Sequence, residues 1–151
     1  MLLALDQARA AAARGEVPVG AVVTDRAGRV LGAAGNRVEE IADPTAHAEV
    51  LAIRAACAEL GNPRLTDCTL WVTLEPCPMC ASAIGHARLA RVIFGAYDPK
   101  GGGVEHGPRL FHRSDCLHRP EVVGGVREGE AGGLLRDFFR ILRERRSRID
   151  I

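Results

Sequence analysis

Thr69-Leu70-Trp71-Val72-Thr73-Leu74-Glu75-Pro76-Cys77-Pro78-Met79-Cys80 decides how this chain folds. Its first six residues are an apolar run rich in Val, Trp and Thr, which reads as a buried strand. Pro76 and Pro78 end that run and open a helix expected over 77–89. A strand delivered directly into a helix is the building unit of an α/β architecture.

The pattern continues in both directions. Downstream, 91–97 reads as a second strand, 98–119 as a long loop, 121–126 as a short strand and 128–146 as a terminal helix. The last of these places Leu134, Leu135, Phe138, Phe139, Ile141 and Leu142 on one broad apolar face. Upstream, Pro44 is expected to start a helix that runs to Leu60 and stops at Gly61. Before it, 19–25 and 29–35 are β-rich and joined by Arg26-Ala27-Gly28, a hairpin. Residues 2–14 are rich in Ala and Leu and end at Gly15, an opening helix. The expected fold class is α/β, a three-layer α/β/α sandwich with a mixed sheet of about five strands and helices on both faces. One domain, 1–151, is expected, because that length buries a sizeable core without needing division.

Composition narrows the setting. No apolar run approaches the roughly 20 residues that span a bilayer, so no membrane partner is expected. The start, Met1-Leu2-Leu3-Ala4-Leu5, is interrupted at once by Asp6 and Arg9 and lacks the pattern of a secretory leader. A cytoplasmic location is the expectation. Five cysteines, two of them spaced C-x-x-C, favour metal chemistry over a disulfide framework there. Net charge is only +1, which does not by itself point to nucleic acid. Its distribution says more. Residues 136–148 carry six arginines against Asp137 and Glu144, a basic tail suited to phosphates, or simply a solvated helix face. The chain has a single lysine, Lys100.

Two clusters carry the chemistry. His47-Ala48-Glu49 and Pro76-Cys77-Pro78-Met79-Cys80 each fall at an expected helix start. The helix dipole there favours thiolate, and Cys77 and Cys80, three apart, share a helix face. One imidazole and two thiolates make three zinc ligands. Structural zinc takes four protein ligands, whereas catalytic zinc keeps one position for water. Glu49 is the carboxylate placed to handle that water's protons. Cys68 sits at the far end of the 69–74 strand, roughly 20 Å away, and is expected in the core. Cys57 is expected to pack within a helix, and the other histidines, 86, 106, 112 and 118, are not expected to bind metal. A redox role for the C-x-x-C pair is disfavoured by the upstream His-x-Glu.

Longer strings resemble a known family. They are Glu16-Val17-Pro18-Val19-Gly20-Ala21-Val22, Asn36-Arg37, Asp43-Pro44-Thr45-Ala46-His47-Ala48-Glu49, and Val72 to Cys80. Val92-Ile93-Phe94-Gly95-Ala96-Tyr97-Asp98-Pro99-Lys100 and Asp137-Phe138-Phe139-Arg140 extend the match from about residue 5 to 146. The chain resembles TadA-type tRNA adenosine deaminases, within the zinc-dependent cytidine deaminase superfamily. That resemblance implies hydrolytic conversion of adenosine to inosine at the wobble position of a tRNA anticodon. It implies one zinc ion per chain, held by His47, Cys77 and Cys80, with Glu49 as the proton shuttle and no organic cofactor. It assigns Asn36 to the base, Asp98 and Lys100 to the flanking nucleotides and their backbone, and Phe139 to the anticodon stem-loop. It implies a homodimer. The segment Gly101-Gly102-Gly103-Val104-Glu105-His106-Gly107-Pro108 departs from the Gly-x-x-Gly-Ser run commoner in that family. The catalytic cluster is shared with deaminases of free purines such as guanine, which stays open as the alternative. A non-catalytic fold that binds RNA or a partner is the third reading.

Overall fold

The computed structural model describes residues 1–149, so the last two residues of the expected 1–151 domain lie outside it. The elements follow in the order α1 (Leu2–Ala13), β1 (Gly20–Thr24), β2 (Val30–Gly35), α2 (Ala48–Leu60), β3 (Thr69–Leu74), α3 (Pro78–His86), β4 (Arg91–Ala96), β5 (Glu121–Val123) and α4 (Glu128–Ile149). The strands make one five-stranded sheet, ordered β2-β1-β3-β4-β5. β1 pairs antiparallel with both β2 and β3, whereas β3, β4 and β5 run parallel. The expected mixed α/β/α sandwich is the observed one.

Glycines in the sheet set how closely the helices approach. A Cβ at Gly20 would lie 2.0 Å from the Ala4 carbonyl oxygen, so α1 crosses β1 at backbone contact. A Cβ at Gly32 would lie 2.5 Å from the Ala52 carbonyl oxygen of α2. Gly20 pairs with Gly35, and Gly32 is three residues from Gly35, so α1 and α2 lie on opposite faces. α4 shares the face of α1, where Arg9 and Glu130 pair at 3.6 Å. α3 lies beside α2. The main core gathers Ala52, Leu70, Ile84, Leu89 and Phe94, all with no exposed surface. Cutting Phe94 to Ala there would cost about 3–5 kcal/mol. A smaller cluster of Leu5, Ala96 and Ala131 joins α1, β4 and α4 on the other side.

Several boundaries differ from the sequence expectation, each for a local reason. α2 starts at Ala48 and not at Pro44. The Asp43 carboxylate accepts from the Thr45 amide at 2.8 Å and its hydroxyl at 2.7 Å, making Pro44 part of a turn. α3 stops at His86 because Arg88 turns left-handed at φ 58° and sends Leu89 into the core. β5 ends at Val123 because Gly124 presses on the Phe94 ring, where a Cβ would lie 2.5 Å from Cζ. In α4 the apolar face is divided. Ala131 is buried and Leu134, Leu135 and Phe138 are half-buried, but Phe139, Ile141 and Leu142 remain 41–42% exposed. No helix among the described residues is long and apolar enough to cross a membrane.

Candidate active site and metal centre

The two chemical clusters meet at helix N-termini. His47 is the N-cap of α2 and Cys77 the N-cap of α3, both with extended backbone, and neither side chain caps its own helix. Glu49 is the second residue of α2 and Cys80 the third of α3. Glu49 is 4% exposed and Cys80 not at all. The ligand atoms of His47, Cys77 and Cys80 all lie within 4.8 Å of one another. His47 Nδ1 is 3.7 Å from Cys77 Sγ and 3.5 Å from Cys80 Sγ. Zinc bonds of about 2.3 Å to sulfur and 2.0–2.1 Å to nitrogen, at a tetrahedral angle, demand an edge of about 3.6 Å. The three side chains therefore fit the ion in number, chemistry and spacing.

The local electrostatics match that use. Taken by themselves the two sulfurs share one proton. Cys77 is drawn down to about 4, chiefly because the Cys80 thiol donates to it and then because His47 does. Cys80 is driven up, first by the same bond and then by burial. His47 is raised mainly by its hydrogen bond to Cys77. A divalent cation would satisfy both sulfurs as thiolates. Burial pushes the Glu49 carboxyl up to about 7, and the negative Cys77 sulfur adds to that while His47 opposes it.

His47, Glu49 and Cys77 floor a cleft of about 570 Å³. Asn36, Asp98, Glu75 and Gly101 form its sides, and Phe138, Phe139 and Leu142 of α4 form one rim. Asn36 is 8% exposed, and its Oδ1 accepts from the Ala48 amide at 2.8 Å. That fixes the amide orientation, so the NH2 group is the part left to donate. Arg14 holds the same residue from behind by donating to the Asn36 carbonyl at 3.1 Å. Asp98 folds back on its own loop, its Oδ1 accepting from the amides of Lys100 and Gly101. Of the residues singled out from sequence, two stand outside the cleft lining: Cys80, fully buried, and Lys100, exposed on the adjoining turn.

The remaining cysteines and histidines keep out of the metal group. Cys68 is buried in the core and Cys57 packs half-buried against it. Cys116 donates to the His118 carbonyl, and the His118 ring meets the Leu89 carbonyl at 2.7 Å. His86 and His112 are exposed, and His106 is engaged with Glu75.

Glu75 is read from sequence only as part of the Val72 to Cys80 string, with no role of its own. It is 1% exposed, at the end of β3. Its carboxylate accepts from the amides of Asp98, Glu105 and His106 and meets His106 Nδ1, all at 2.8–2.9 Å. Burial alone would raise its pKa, but these bonds outweigh it and hold the group below its ordinary value. The one signal in the sequence is a lone acid closing an otherwise apolar strand. Glu16 does a similar task on the opposite side, 2% exposed and accepting from the Glu40 amide at 2.8 Å.

The fold and centre together define a metal-dependent deaminase with a cytidine-deaminase-like architecture. The model of the cytidine and deoxycytidylate deaminase zinc-binding region matches residues 1–96. The chain belongs to that zinc-binding family. It is 54% identical over 93% of its length to a tRNA-specific adenosine deaminase of Agrobacterium fabrum, covering 91% of that protein. A solved structure from work on A-to-I editing by tRNA:A34 deaminases at the wobble position superposes with TM-score 0.87 and 52% identity, over 89% of this chain and 97% of that one. A guanine deaminase from Nitrosomonas europaea gives TM-score 0.73 and 27% identity, over 89% of this chain and 80% of that one.

Proposed function

We propose that this chain hydrolyses adenosine to inosine at the wobble position of a tRNA anticodon. The observation that carries the reading is the shared use of α4. The helix that rims the cleft with Phe138, Phe139 and Leu142 also bears the six arginines of 136–148. A site for a free base needs no such extension, whereas an RNA loop supplies both unstacked bases and phosphates to meet it. The near-full-length identity to tRNA deaminases, twice that to the guanine deaminase, supports the same choice.

Zinc, held by His47, Cys77 and Cys80, would supply the acidity that brings a water molecule's pKa near neutrality. The chain's own residues do the rest. Asn36 donates its amide NH2 to an acceptor on the base and fixes its plane. Glu49 accepts a proton from the attacking water as oxygen bonds to the amino-bearing carbon. It then delivers that proton to the leaving nitrogen as the C–N bond breaks, and ammonia departs. A carboxyl tuned to about 7 suits both directions of transfer near neutral pH. An anticodon loop is already unpaired, so presenting the base costs little. Phe139 offers an aromatic face at the rim, and Asp98 and Lys100 approach the neighbouring nucleotides. The same resemblance supports a homodimer acting in the cytoplasm, which a mass measurement in solution checks.

Incubation with an anticodon stem-loop RNA tests the reading. Inosine at the wobble position is expected, with no ammonia from guanine. Turnover of free guanine without RNA product would sink it.

A further inference from the structure

Glu75 lies 1% exposed beside the metal centre yet spends its carboxylate entirely on one loop. The chain runs from Asp98 out over Lys100 and back to His106, and both ends of that excursion tie to the same two oxygens. Two positions within it, Gly102 and Gly103, are packed too closely for any side chain. A Cβ at Gly102 would lie 2.5 Å from Glu75 Oε1, and one at Gly103 would lie 2.6 Å from the Pro78 nitrogen. The Gly103 amide also donates to the Pro76 carbonyl at 2.8 Å. The loop is thus clamped to the strand end that leads into Cys77. Asp98 and Gly101 line the cleft from this loop.

We infer that Glu75 is a positioning residue for RNA: with His106 it locks the 98–106 loop, so that Asp98 and Lys100 meet the nucleotides beside the reacting base in one fixed geometry. The inference rests on the tRNA reading for its substrate, but the clamp itself does not. Glu75 touches neither the base nor the reacting atoms. Its loss should weaken the fit of the RNA and leave the proton transfers at Glu49 in place.

The test compares Glu75→Gln, His106→Ala and His106→Gln in the zinc-loaded enzyme, with an anticodon stem-loop RNA as substrate. Glu75→Gln sets an amide NH2 against the loop's own N–H donors. It should raise KM about tenfold or more, with kcat and zinc content near those of the unaltered enzyme. His106→Ala should raise KM by less, and His106→Gln, which keeps a side-chain donor, should restore it. Amide exchange at Asp98, Glu105 and His106 should accelerate in Glu75→Gln while exchange in β3 and α2 does not. An unchanged KM overturns the inference, and so does loss of zinc with collapse of kcat, which would make Glu75 a support of the metal centre. If Glu75→Gln does not fold, the His106 pair carries the same comparison: equal KM for Ala and Gln refutes the clamp. If the unaltered enzyme makes no inosine, the tRNA reading fails, and the exchange measurement still decides whether Glu75 holds the loop.

Discussion

The floor of the cleft and its rim are built on opposite terms. The floor is short-range: His47 with Glu49, and Cys77 with Cys80, each pair fixed within the first residues of one helix. It is buried or half-buried, and its geometry follows from two N-caps. The rim is long-range and open. Phe139 and Leu142 stand about two-fifths exposed on a helix whose far half leaves the body. Lys100 is exposed on a turn. The difference teaches where each part of the activity resides. On the proposed function, bond-making would be held by buried or half-buried groups, and recognition by groups that stay exposed until the RNA arrives. Changes to the floor should act on kcat, and changes to the rim on KM.

The largest test of that division is Glu49→Ala. Inosine formation should drop by about 10²–10⁴ in kcat, the usual worth of a general acid–base group, while metal analysis still finds zinc. Survival of the activity would remove Glu49 from the mechanism. The pH profile comes next. Glu49 is raised to about 7 by burial, so it is protonated and unable to accept below that value. kcat on saturating RNA should approach a tenfold fall per pH unit on the acid side, roughly fiftyfold from pH 7 to 5, and a flat profile would contradict the assignment.

The rim predicts smaller effects of another kind. Phe139→Ala should raise KM for the RNA by about 5- to 100-fold, the range of one lost base-stacking contact, with kcat retained. A fall in kcat at constant KM would break the separation of floor from rim. Smallest is Arg143→Ala. It should weaken RNA binding in proportion to phosphate contact and lower the salt slope by about one, read from titrations at several salt concentrations. An unchanged slope would assign that arginine to a solvated face.

Legibility in the sequence follows the same split. The floor was readable because ligand spacing and helix-start residues are local signals. Even there the start of α2 moved from Pro44 to Ala48, because Asp43 and Thr45 close a turn that a proline rule does not anticipate. The alternation of apolar runs led to the sheet and its layers, since strand and helix periods differ. The 98–106 loop was not readable. Its order comes from one carboxylate meeting amides 23 to 31 residues away, and no pattern within the loop encodes that. The point along α4 at which its apolar face loses cover was not readable either. Amphipathic spacing marks an apolar face but not how far along the helix the sheet extends to cover it.

One consequence remains in the two N-caps. His47 and Cys77 occupy positions where a serine or aspartate would ordinarily close the helix by accepting its free amides. Both side chains turn instead toward each other, so each helix gives up a cap worth about 1 kcal/mol. A divalent cation held by His47, Cys77 and Cys80 would tie the starts of α2 and α3 together and keep both sulfurs as thiolates, a negative charge that a helix N-terminus favours. Metal loading is then a folding event as much as an activation, and a chelator should loosen the starts of α2 and α3 together before it disturbs the sheet.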